Sequence, residues 1–306
     1  MTNQINRRKR ILNGVLLLDK DSGMSSNSAL QRARFFYGAA KAGHTGVLDP
    51  LATGLLPVCF GEATKFAQYL LDADKAYTAT LKLGEATTTG DAEGESIGFG
   101  STDITLAQVE EAIACFTGQI TQIPPMYSAL KYEGKPLYEY ARAGITIERK
   151  SRQVTIYQID ILEFQAPKLV LQVRCSKGTY IRTLAEDLAK KMGTVAHLTA
   201  LRRTATAGFQ IAQSHTLDAI SSVDEIHRDT WLLPCDVLLQ HFAAVTLSDA
   251  EILRLQHGLS VQTNENYGIM HPLRIYSADG RFIGLVQYQP AASSLKALRL
   301  MSTATV

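Results

Sequence analysis

One loop of the sequence combines an acid, a histidine and several glycines at a spacing suited to catalysis. Residues 43–54 read GHTGVLDPLATG, with Asp49 directly before a proline and His44 five positions earlier. Glycines allow a positive φ and a close approach of the backbone to another molecule. A residue before proline is confined to extended geometry, which fixes the direction of the Asp49 carboxylate. The pattern fits either the floor of an active site or a tight connection in which Asp49 caps the next helix.

Several common kinds of site are excluded by the sequence. The chain has no GxxxxGK[ST] loop, no GxGxxG after a strand and no HExxH motif, which excludes the usual nucleotide and metalloprotease sites. Its four cysteines lie 56, 60 and 60 positions apart, so none has zinc-ligand or redox spacing. Because each has apolar neighbours, we expect all four to be small core residues, namely Cys59, Cys115, Cys175 and Cys235.

The surrounding sequence predicts helices and strands that position the loop. Apolar alternation indicates strands, and capping residues before a helical apolar period indicate helices. Strands are predicted over Gly14–Leu18, Ala76–Leu83 and Leu169–Cys175. A first helix is predicted from a cap at Ser25 or Ser26 through about Tyr37, ended by Gly38. Further helices are predicted over Lys65–Ala73, from Thr105 to about Gly118, and from about Thr179 to Met192. Residues 43–54 are expected to form a loop without regular structure.

The character of the chain changes near residue 245. A capping box at Ser248 and Glu251 predicts a short helix that ends at Gly258. Two alternating strands follow, Leu273–Tyr276 and Phe282–Gln287, joined by a hairpin signal. We therefore expect a mixed α/β domain followed by a small β-rich module.

Composition and charge narrow the class of protein. The chain has 306 residues, of which 46% are hydrophobic and 20% charged, so we expect a folded globular protein. No apolar stretch approaches the ~20 residues of a membrane span or the form of a signal peptide, which predicts a cytoplasmic protein. Net charge is +2 overall, made up of +5 over residues 1–212 and −3 over residues 213–306. A polyanionic partner should therefore meet the first two-thirds of the chain.

Six segments, in order, carry a resemblance to a known family. The segment Gly43–Val58 resembles the catalytic signature of the TruB family, the bacterial tRNA pseudouridine-55 synthases. The other matching segments are Lys75–Tyr77, Leu83–Asp91, Gln122–Lys131, Ser176–Leu184 and Ala196–Thr204. The likeness is dense over about residues 12–210 and looser in the tail.

The resemblance implies a fold and a domain organisation. The fold would be α/β (α+β), with a mixed, mainly antiparallel sheet flanked by helices and a small C-terminal PUA-like module. The catalytic domain would span residues 1–245, with an insertion at residues 124–152 that grips RNA, and the PUA-like domain residues 246–306. Because the tail is net negative, we expect it to add little affinity for RNA.

The resemblance also implies a reaction without metal or organic cofactor. Uridine 55 of the tRNA T-loop would be flipped out, lose its C1′–N1 bond and rejoin through C5. Asp49 would be the essential carboxylate, acting either as nucleophile on the sugar or as base at C2′. Both roles need the ionised form, which a free aspartate takes at neutral pH.

Further residues receive roles from the resemblance alone. Arg182 lies at the position that pairs with the catalytic acid, and Tyr77 at that of the tyrosine that stacks on the target base. Leu201 would line the same pocket, and His44 would contact RNA near the flipped nucleotide. Taken singly, each of these residues is more typical of a core or a solvated position.

The partner implied is tRNA, through its T-loop and elbow, with no membrane and no obligatory protein partner, and the protein is expected to be a monomer. Basic candidates for phosphate contacts are Lys20, Lys65, Lys131, Arg142, Lys150, Arg152, Lys177, Arg202 and Arg203. Two departures from the family pattern affect the site: Asp21 and Ser22 replace a proline-containing turn, and Val47 replaces a threonine.

Two other functions fit parts of the pattern. A non-enzymatic RNA-folding protein could use the same scaffold, alone or in addition to the reaction. A small-molecule glycosidase with an aspartate nucleophile would need a second carboxylate, for which Glu62, Asp91 and Glu93 are available.

Overall fold

The protein has two large sheets with separate but adjoining cores, and two small two-stranded sheets. The structure, a computed structural model, describes residues 9–268 and 271–302. The outer ends of the two predicted domains, residues 1–8 and 303–306, lie outside the described residues. A ten-stranded sheet occupies the first part of the chain and a five-stranded sheet the last. The predicted mixed fold with a β-rich C-terminal module is therefore confirmed.

The elements are as follows in chain order. The strands are β1 (Gly14–Lys20), β2 (Ala42–His44), β3 (Thr53–Phe60), β4 (Lys75–Leu83), β5 (Glu85–Thr87), β6 (Ser96–Phe99), β7 (Gly118–Gln122), β8 (Lys131–Tyr132), β9 (Lys135–Pro136), β10 (Arg152–Gln165), β11 (Lys168–Cys175), β12 (Ala196–Thr206), β13 (Phe209–Gln210), β14 (His215–Thr216), β15 (Ala244–Leu247), β16 (Val261–Gln262), β17 (Leu273–Ser277), β18 (Phe282–Gln289) and β19 (Ser294–Leu300). The α-helices are α1 (Ser26–Tyr37), α2 (Leu106–Phe116), α3 (Leu137–Arg142), α4 (Ile181–Lys191), α5 (Leu217–Ser222), α6 (Glu225–Asp229) and α7 (Asp249–Gln256). The two small sheets are β5–β6 and β8–β9.

The large sheet is mixed and mainly antiparallel, as expected. Its order is β14-β1-β3-β12-β4-β11-β10-β7, with β2 added to β3 and β13 to β12. Among the described strand pairs of this sheet, only β1–β14 and β3–β12 are parallel. The parallel pair β3–β12 lies near the centre, so the loop before β3 and the second half of β12 are brought together.

Strand β3 is buried on both faces, which explains its unbroken apolar sequence. Leu56 and Val58 belong to a core that also contains residues of α1, α4 and α5. Leu55 and Cys59, on the opposite face, belong to a second core shared with Leu285 of the C-terminal sheet. One strand therefore separates the core beneath the helices from the core beneath the C-terminal module.

Capping residues set the helix ends much as the sequence predicts. The Ser25 side chain accepts a hydrogen bond from the Ser28 N–H, and α1 stops at Gly38, whose φ is 60°. Thr105 and Gln108 form the expected capping box at the start of α2. Helix α4 begins two residues later than predicted and turns Leu184 and Leu188 onto the sheet.

Three local predictions are wrong. The segment 43–54 is not all loop, because Ala42–His44 pairs with the end of β3. The predicted helix at Lys65–Ala73 is replaced by two short 3₁₀ turns, Gly61–Lys65 and Ala67–Leu70, which bury Ala63 and Phe66 three positions apart. Cys115 is exposed on the outer side of α2, whereas the other three cysteines are buried as expected.

The C-terminal sheet docks firmly onto the larger domain. Phe66 meets Phe282 edge to face, with ring centroids 5.4 Å apart. The Glu62 carboxylate accepts a hydrogen bond from the Ser302 N–H at the end of the described tail. An aromatic contact and a polar contact thus hold the two parts together, and the apolar core behind β3 continues between them.

We expect Phe66→Ala to lower the free energy of unfolding by about 3–5 kcal/mol, the usual cost of emptying a fully buried aromatic site. Phe99→Ala is the matched control, because Phe99 is 80% exposed and its truncation should change stability by less than about 0.5 kcal/mol. Urea unfolding followed by circular dichroism measures both. Equal changes in the free energy of unfolding for Phe66→Ala and Phe99→Ala would contradict a core shared by the two large sheets.

Candidate active site

The loop that carries Asp49 is fixed by hydrogen bonds from inside the protein. We call residues 45–52, between β2 and β3, the Asp49 loop. The buried Ser26 hydroxyl accepts from the Leu48 N–H at 2.8 Å and donates to the Leu48 carbonyl at 3.0 Å. The Thr45 N–H donates to the Pro57 carbonyl at 3.1 Å. The start and the middle of the loop are therefore anchored, and its acid has a defined direction.

A buried lysine ties the same loop to the turn after β1. Lys20 is 0% exposed, and its ammonium donates to the carbonyls of Asp21 (2.9 Å), Met24 (2.7 Å) and Pro50 (3.3 Å). Burial lowers the pKa of Lys20 to about 8. The prediction that Lys20 contacts RNA phosphate is wrong, because the ammonium faces carbonyl groups inside the protein.

Arg182 stands between two aspartates at the centre of the site. Its Nη2 lies 2.9 Å from Oδ2 of Asp49, and its Nη1 lies 3.6 Å from Oδ2 of Asp91. The same guanidinium donates to the carbonyls of Thr89 (3.0 Å) and Tyr127 (2.7 Å). The Arg182 side chain is buried and that of Asp49 is 40% exposed. The structure thus brings together the predicted acid and arginine, and it leaves the acid accessible.

The electrostatics make Asp49 depend on its arginine. Although part of the carboxylate is exposed, surrounding protein atoms raise the pKa of Asp49 by desolvation. The positive charge of Arg182 opposes that rise, and the negative charge of Asp91 adds to it. Arg182 therefore favours the ionised form of Asp49. Asp91 holds Arg182 in place, but its own negative charge raises the pKa of Asp49.

Tyr77 and Leu201 lie on one face of the sheet beside the Asp49 loop. Tyr77 of β4 pairs with Arg203 of β12, and Ala79 pairs with Leu201, so all four side chains share a face. Tyr77 is 7% and Leu201 9% exposed. Burial raises the pKa of Tyr77, the nearby charge of Arg203 lowers it, and that of Asp49 raises it slightly. Tyr77 therefore lies within electrostatic reach of the acid.

His44 enters the same neighbourhood from the end of β2. It is half-buried, and desolvation lowers the pKa of its imidazole, so the ring is neutral at pH 7. The charge of Arg203 acts in the same direction. Among the described residues, none forms a hydrogen bond to the buried Nδ1 of His44. A neutral ring is suited to hydrogen bonding with RNA and carries no charge for a phosphate.

Two more basic residues do not serve as predicted phosphate contacts. Arg203 is 1% exposed, and its Nε donates to the Leu55 carbonyl at 2.7 Å. Lys65 directs its ammonium to the Glu62 carboxylate at 2.6 Å and the Leu300 carbonyl at 3.1 Å. Both predictions are wrong, because Arg203 is enclosed and Lys65 holds the C-terminal module in place.

The other basic candidates remain accessible in whole or in part. Arg202 forms an ion pair with Asp19 (2.6 Å), and Lys177 forms one with Asp72 (2.8 Å) on the surface. Surface ion pairs of this kind contribute little energy and can be exchanged for a phosphate. The accessible set is Lys131, Arg142, Lys150, Arg152, Lys177 and Arg202.

The insertion at residues 124–152 presents aromatic rings together with positive charge. It contains the hairpin β8–β9 and helix α3, on which Tyr132 and Tyr140 meet with centroids 6.0 Å apart. The guanidinium of Arg142 lies 5.4 Å from the ring centroid of Tyr138. Interleaved rings and cations of this kind are typical of surfaces that bind single-stranded nucleic acid.

Two of the three acids available to a two-carboxylate glycosidase are engaged in ion pairs with other residues. Glu62 lies in the interface with the C-terminal module, where it pairs with Lys65. Asp91 is buried behind Arg182 and accepts a hydrogen bond from the Thr89 hydroxyl at 2.6 Å. Glu93 is exposed beside it. The geometry therefore gives Asp91 the role of holding Arg182. The only sign of this role in the sequence is that Asp91 ends the matching segment Leu83–Asp91.

The described residues form neither a metal-binding cluster nor a membrane-spanning helix. Across residues 9–268 and 271–302, no three His, Cys, Asp or Glu side chains come close enough together to hold a metal ion. In the same described part of the chain, no helix is both long and apolar enough to cross a membrane.

Comparison with solved structures places the fold. A chain from the crystal structure of a Cbf5–Nop10–Gar1 complex superposes with a TM-score of 0.70 at 24% identity, covering 95% of this chain and 84% of that one. A chain from a structure of an H/ACA RNP bound to a substrate RNA containing 2′-deoxyuridine gives 0.70 at 22% identity, with the same coverage. These likenesses concern the fold alone.

Family models then identify the class. "TruB family pseudouridylate synthase (N terminal domain)" matches residues 34–181. "tRNA pseudouridylate synthase B C-terminal domain" matches residues 182–240, and "Pseudouridine synthase II TruB, C-terminal" residues 243–301. The chain is therefore that of a pseudouridine synthase, an isomerase.

Curated relatives narrow the class to one family. A tRNA pseudouridine synthase B of Neisseria meningitidis serogroup B is 65% identical over 97% of both chains. Relatives of the same name from Chromobacterium violaceum and Azoarcus sp. are 54% and 50% identical, covering 90% and 97% of this chain and 91% and 97% of their own. The chain belongs to the TruB family, as the sequence motifs predict.

We expect Ser26→Ala to loosen the Asp49 loop. The change leaves the buried Leu48 N–H and carbonyl without their partner, which should cost about 1–3 kcal/mol of stability. The rate of isomerisation should fall about ten- to a hundredfold, because small displacements of a reacting group are expensive. Ser28→Ala, on the exposed side of the same helix, is the matched control. Thermal unfolding and single-turnover kinetics test both, and equal behaviour would refute the anchoring role.

Proposed function

We propose that the protein converts uridine 55 in the T-loop of tRNA to pseudouridine. The observation that carries the proposal is the accessible Asp49 carboxylate held 2.9 Å from the buried Arg182 guanidinium. An anion that is charged, aimed and open to a ligand is the one group that this rearrangement needs. Membership of the TruB family and the printed names of its tRNA-modifying relatives support tRNA as the substrate.

The reaction balances without an oxidant, a reductant or an imported group. The C1′–N1 bond breaks, the uracil turns in place, and a C1′–C5 bond forms. The C5 proton is lost to solvent, and N1 gains a proton. Asp49 acts on the sugar either as nucleophile at C1′ or as base at C2′, and Arg182 keeps it ionised in both cases.

Access to uridine 55 requires base flipping, because the T-loop stacks this base inside the RNA. Flipping costs a few kcal/mol, and base–aromatic stacking can return ~1–3 kcal/mol. We assign Tyr77 to stacking on the flipped base and Leu201 to the apolar wall beside it, since both share the sheet face next to the Asp49 loop. We assign His44 to an RNA contact near the flipped nucleotide.

The insertion at residues 124–152 is the proposed grip on the T-loop. Its exposed cations and paired tyrosines face solvent as a group. Phosphate contacts from Lys131, Arg142, Lys150, Arg152, Lys177 and Arg202 would supply salt-dependent affinity. Within this proposal the catalytic domain spans residues 1–245 and the PUA-like module residues 246–306. We propose that the protein acts as a monomer in the cytoplasm without an obligatory partner protein.

A T-loop stem-loop RNA labelled with tritium at uridine C5 provides the primary test. Purified protein should release tritium to water and leave pseudouridine at position 55, with no turnover of free uridine. An RNA with cytidine at the target position is the control. Turnover of free nucleoside would favour the glycosidase, and RNA refolding without tritium release would favour the RNA-folding protein.

Asp49→Asn should abolish tritium release while leaving stem-loop binding within about threefold of wild type, because the substitution removes the anion and keeps the shape. Glu95→Gln, an exposed change of equal charge in the loop after β5, should leave both properties unchanged. Gel-shift titration and single-turnover assays measure binding and reaction separately. If the Asp49→Asn protein still isomerises uridine, the proposed mechanism is wrong. If it still refolds tRNA, it has an additional RNA-folding role.

Asp91→Asn should move the acidic limb of the pH–rate profile to lower pH. The charge of Asp91 raises the pKa of Asp49, so its removal lowers that pKa and keeps Asp49 ionised in more acidic solution. The maximal rate should also fall, because Arg182 loses an ion pair and keeps only its carbonyl contacts. Single-turnover rates from about pH 4 to about pH 8 give the profile. An acidic limb that stays in place or moves to higher pH would show that Asp91 does not raise the pKa of Asp49. Glu95→Gln is again the control.

A further inference from the structure

Arg203 is a buried cation whose charge is not used by any carboxylate of the described residues. It is 1% exposed, and its Nε donates to the Leu55 carbonyl. Its Nη2 is enclosed and has no hydrogen-bond acceptor within normal geometry in the described part of the chain. A guanidinium left this way is costly, because desolvation is not repaid by an ion pair. Such a cost points to a function.

A second buried arginine, Arg228, has a hydrogen-bond acceptor for each of its guanidinium nitrogens. Arg228 directs its three guanidinium nitrogens to the carbonyls of Ile220, Phe36 and Val223. It supports the packing of α5 and α6 on α1 and lies far along the chain from the Asp49 loop. Arg203 differs, because one of its nitrogens is left without any such carbonyl.

The residue paired with Arg203 on the neighbouring strand is Tyr77. Arg203 and Tyr77 are directly paired across β12 and β4, so their side chains project from the same face about 5 Å apart at Cβ. Burial lowers the pKa of Arg203 and the nearby Tyr77 phenol raises it, so the two groups lie within electrostatic reach of each other. On the other side, the Arg203 Nη1 lies beneath Gly46, 3.5 Å from the point where a side chain would begin. Arg203 thus lies between the Asp49 loop and the tyrosine.

The backbone of Arg203 is held as closely as its side chain. It pairs with Gly54 at the start of β3, where φ is 102°. A Cβ on Gly54 would come within 2.4 Å of the Arg203 carbonyl oxygen, so only glycine allows this approach. The position of the guanidinium is therefore set by the strand pairing that also fixes the end of the Asp49 loop.

We propose that Arg203 is a positioning residue that orients the Tyr77 hydroxyl toward the substrate. A guanidinium has only donors, so beside a phenol it must approach a lone pair of the oxygen. The phenolic proton then has to point away from Arg203, toward the space above the sheet face where the target base would lie. The proposal rests on the proposed function, in which Tyr77 contacts that base.

The consequence for the reaction is that the Tyr77 hydroxyl keeps its proton pointing in one direction. With Arg203 behind it, the hydroxyl presents a donor to the uracil, and the cation stabilises negative charge on the phenol if the proton is shared. The charge of Arg203 lowers the pKa of Tyr77 against the rise caused by burial. A neutral or shorter residue at position 203 would leave the hydroxyl free to rotate.

A double-mutant cycle tests the proposal through the reaction. Arg203→Met should slow single-turnover isomerisation about tenfold, which corresponds to one charged hydrogen bond. In a Tyr77→Phe background the same change should slow the reaction less than about twofold, because the hydroxyl on which Arg203 acts is already absent. Arg203→Lys keeps the charge and guards against a folding failure; it should lie between wild type and Arg203→Met. Equal losses in both backgrounds would overturn the proposal.

A pH titration of Tyr77 needs no substrate, so it tests the positioning role of Arg203 separately from the proposed function. 3-Fluorotyrosine placed at position 77 reports the phenol pKa by ¹⁹F NMR. Arg203→Met should raise that pKa, since a nearby cation is lost, while Arg228→Lys, the matched buried arginine, should leave it unchanged. An unchanged titration in Arg203→Met refutes the orienting contact even if the enzyme is active. A raised titration in a protein that does not modify the T-loop would refute the proposed function alone.

Discussion

The site depends on one cation, Arg182, placed between an accessible and a buried aspartate. A carboxylate surrounded by protein loses its charge unless an opposite charge is close, and Asp49 is in that situation. Arg182 supplies the charge at 2.9 Å and is itself prevented from moving by Asp91 and two carbonyls. The accessible carboxylate of Asp49 is thus held by Arg182, which is buried together with Asp91. This arrangement keeps a single carboxylate both ionised and fixed in direction.

The fold serves this arrangement by delivering its parts from distant stretches of the chain. The Asp49 loop is anchored by Ser26 of α1 and by Lys20 at the end of β1. Arg182 comes from the first turn of α4, and Tyr77 and Arg203 come from paired strands. Buried positive charges recur around the loop, and each is oriented by backbone carbonyls. The positive potential of the site therefore comes largely from inside the protein.

The sequence predicts the strands and the capped helices well, because these follow from local patterns, and the family resemblance predicts the pairing of Asp49 with Arg182 that the structure shows. The Asp-Pro step and the glycines mark the Asp49 loop, and Ser25 and Thr105 mark their helices. What the sequence does not reveal is the surroundings of basic residues. Lys20 and Arg203 look like surface charges until the fold encloses them, and Cys115 looks like a core residue until α2 turns it outward. The short 3₁₀ turns that replace the predicted helix at 65–73 depend on where Phe66 finds its partner in a sheet more than 200 residues away.

Strand β3 has a consequence for how this chain can be divided. The odd-numbered residues of the strand, such as Leu55 and Cys59, face the tail, and the even-numbered ones, such as Leu56 and Val58, face the helices. A chimera that exchanged the tail for another module would have to supply an apolar partner for the odd-numbered set. Substitutions on either side of this shared core are therefore constrained by the residues on the other side.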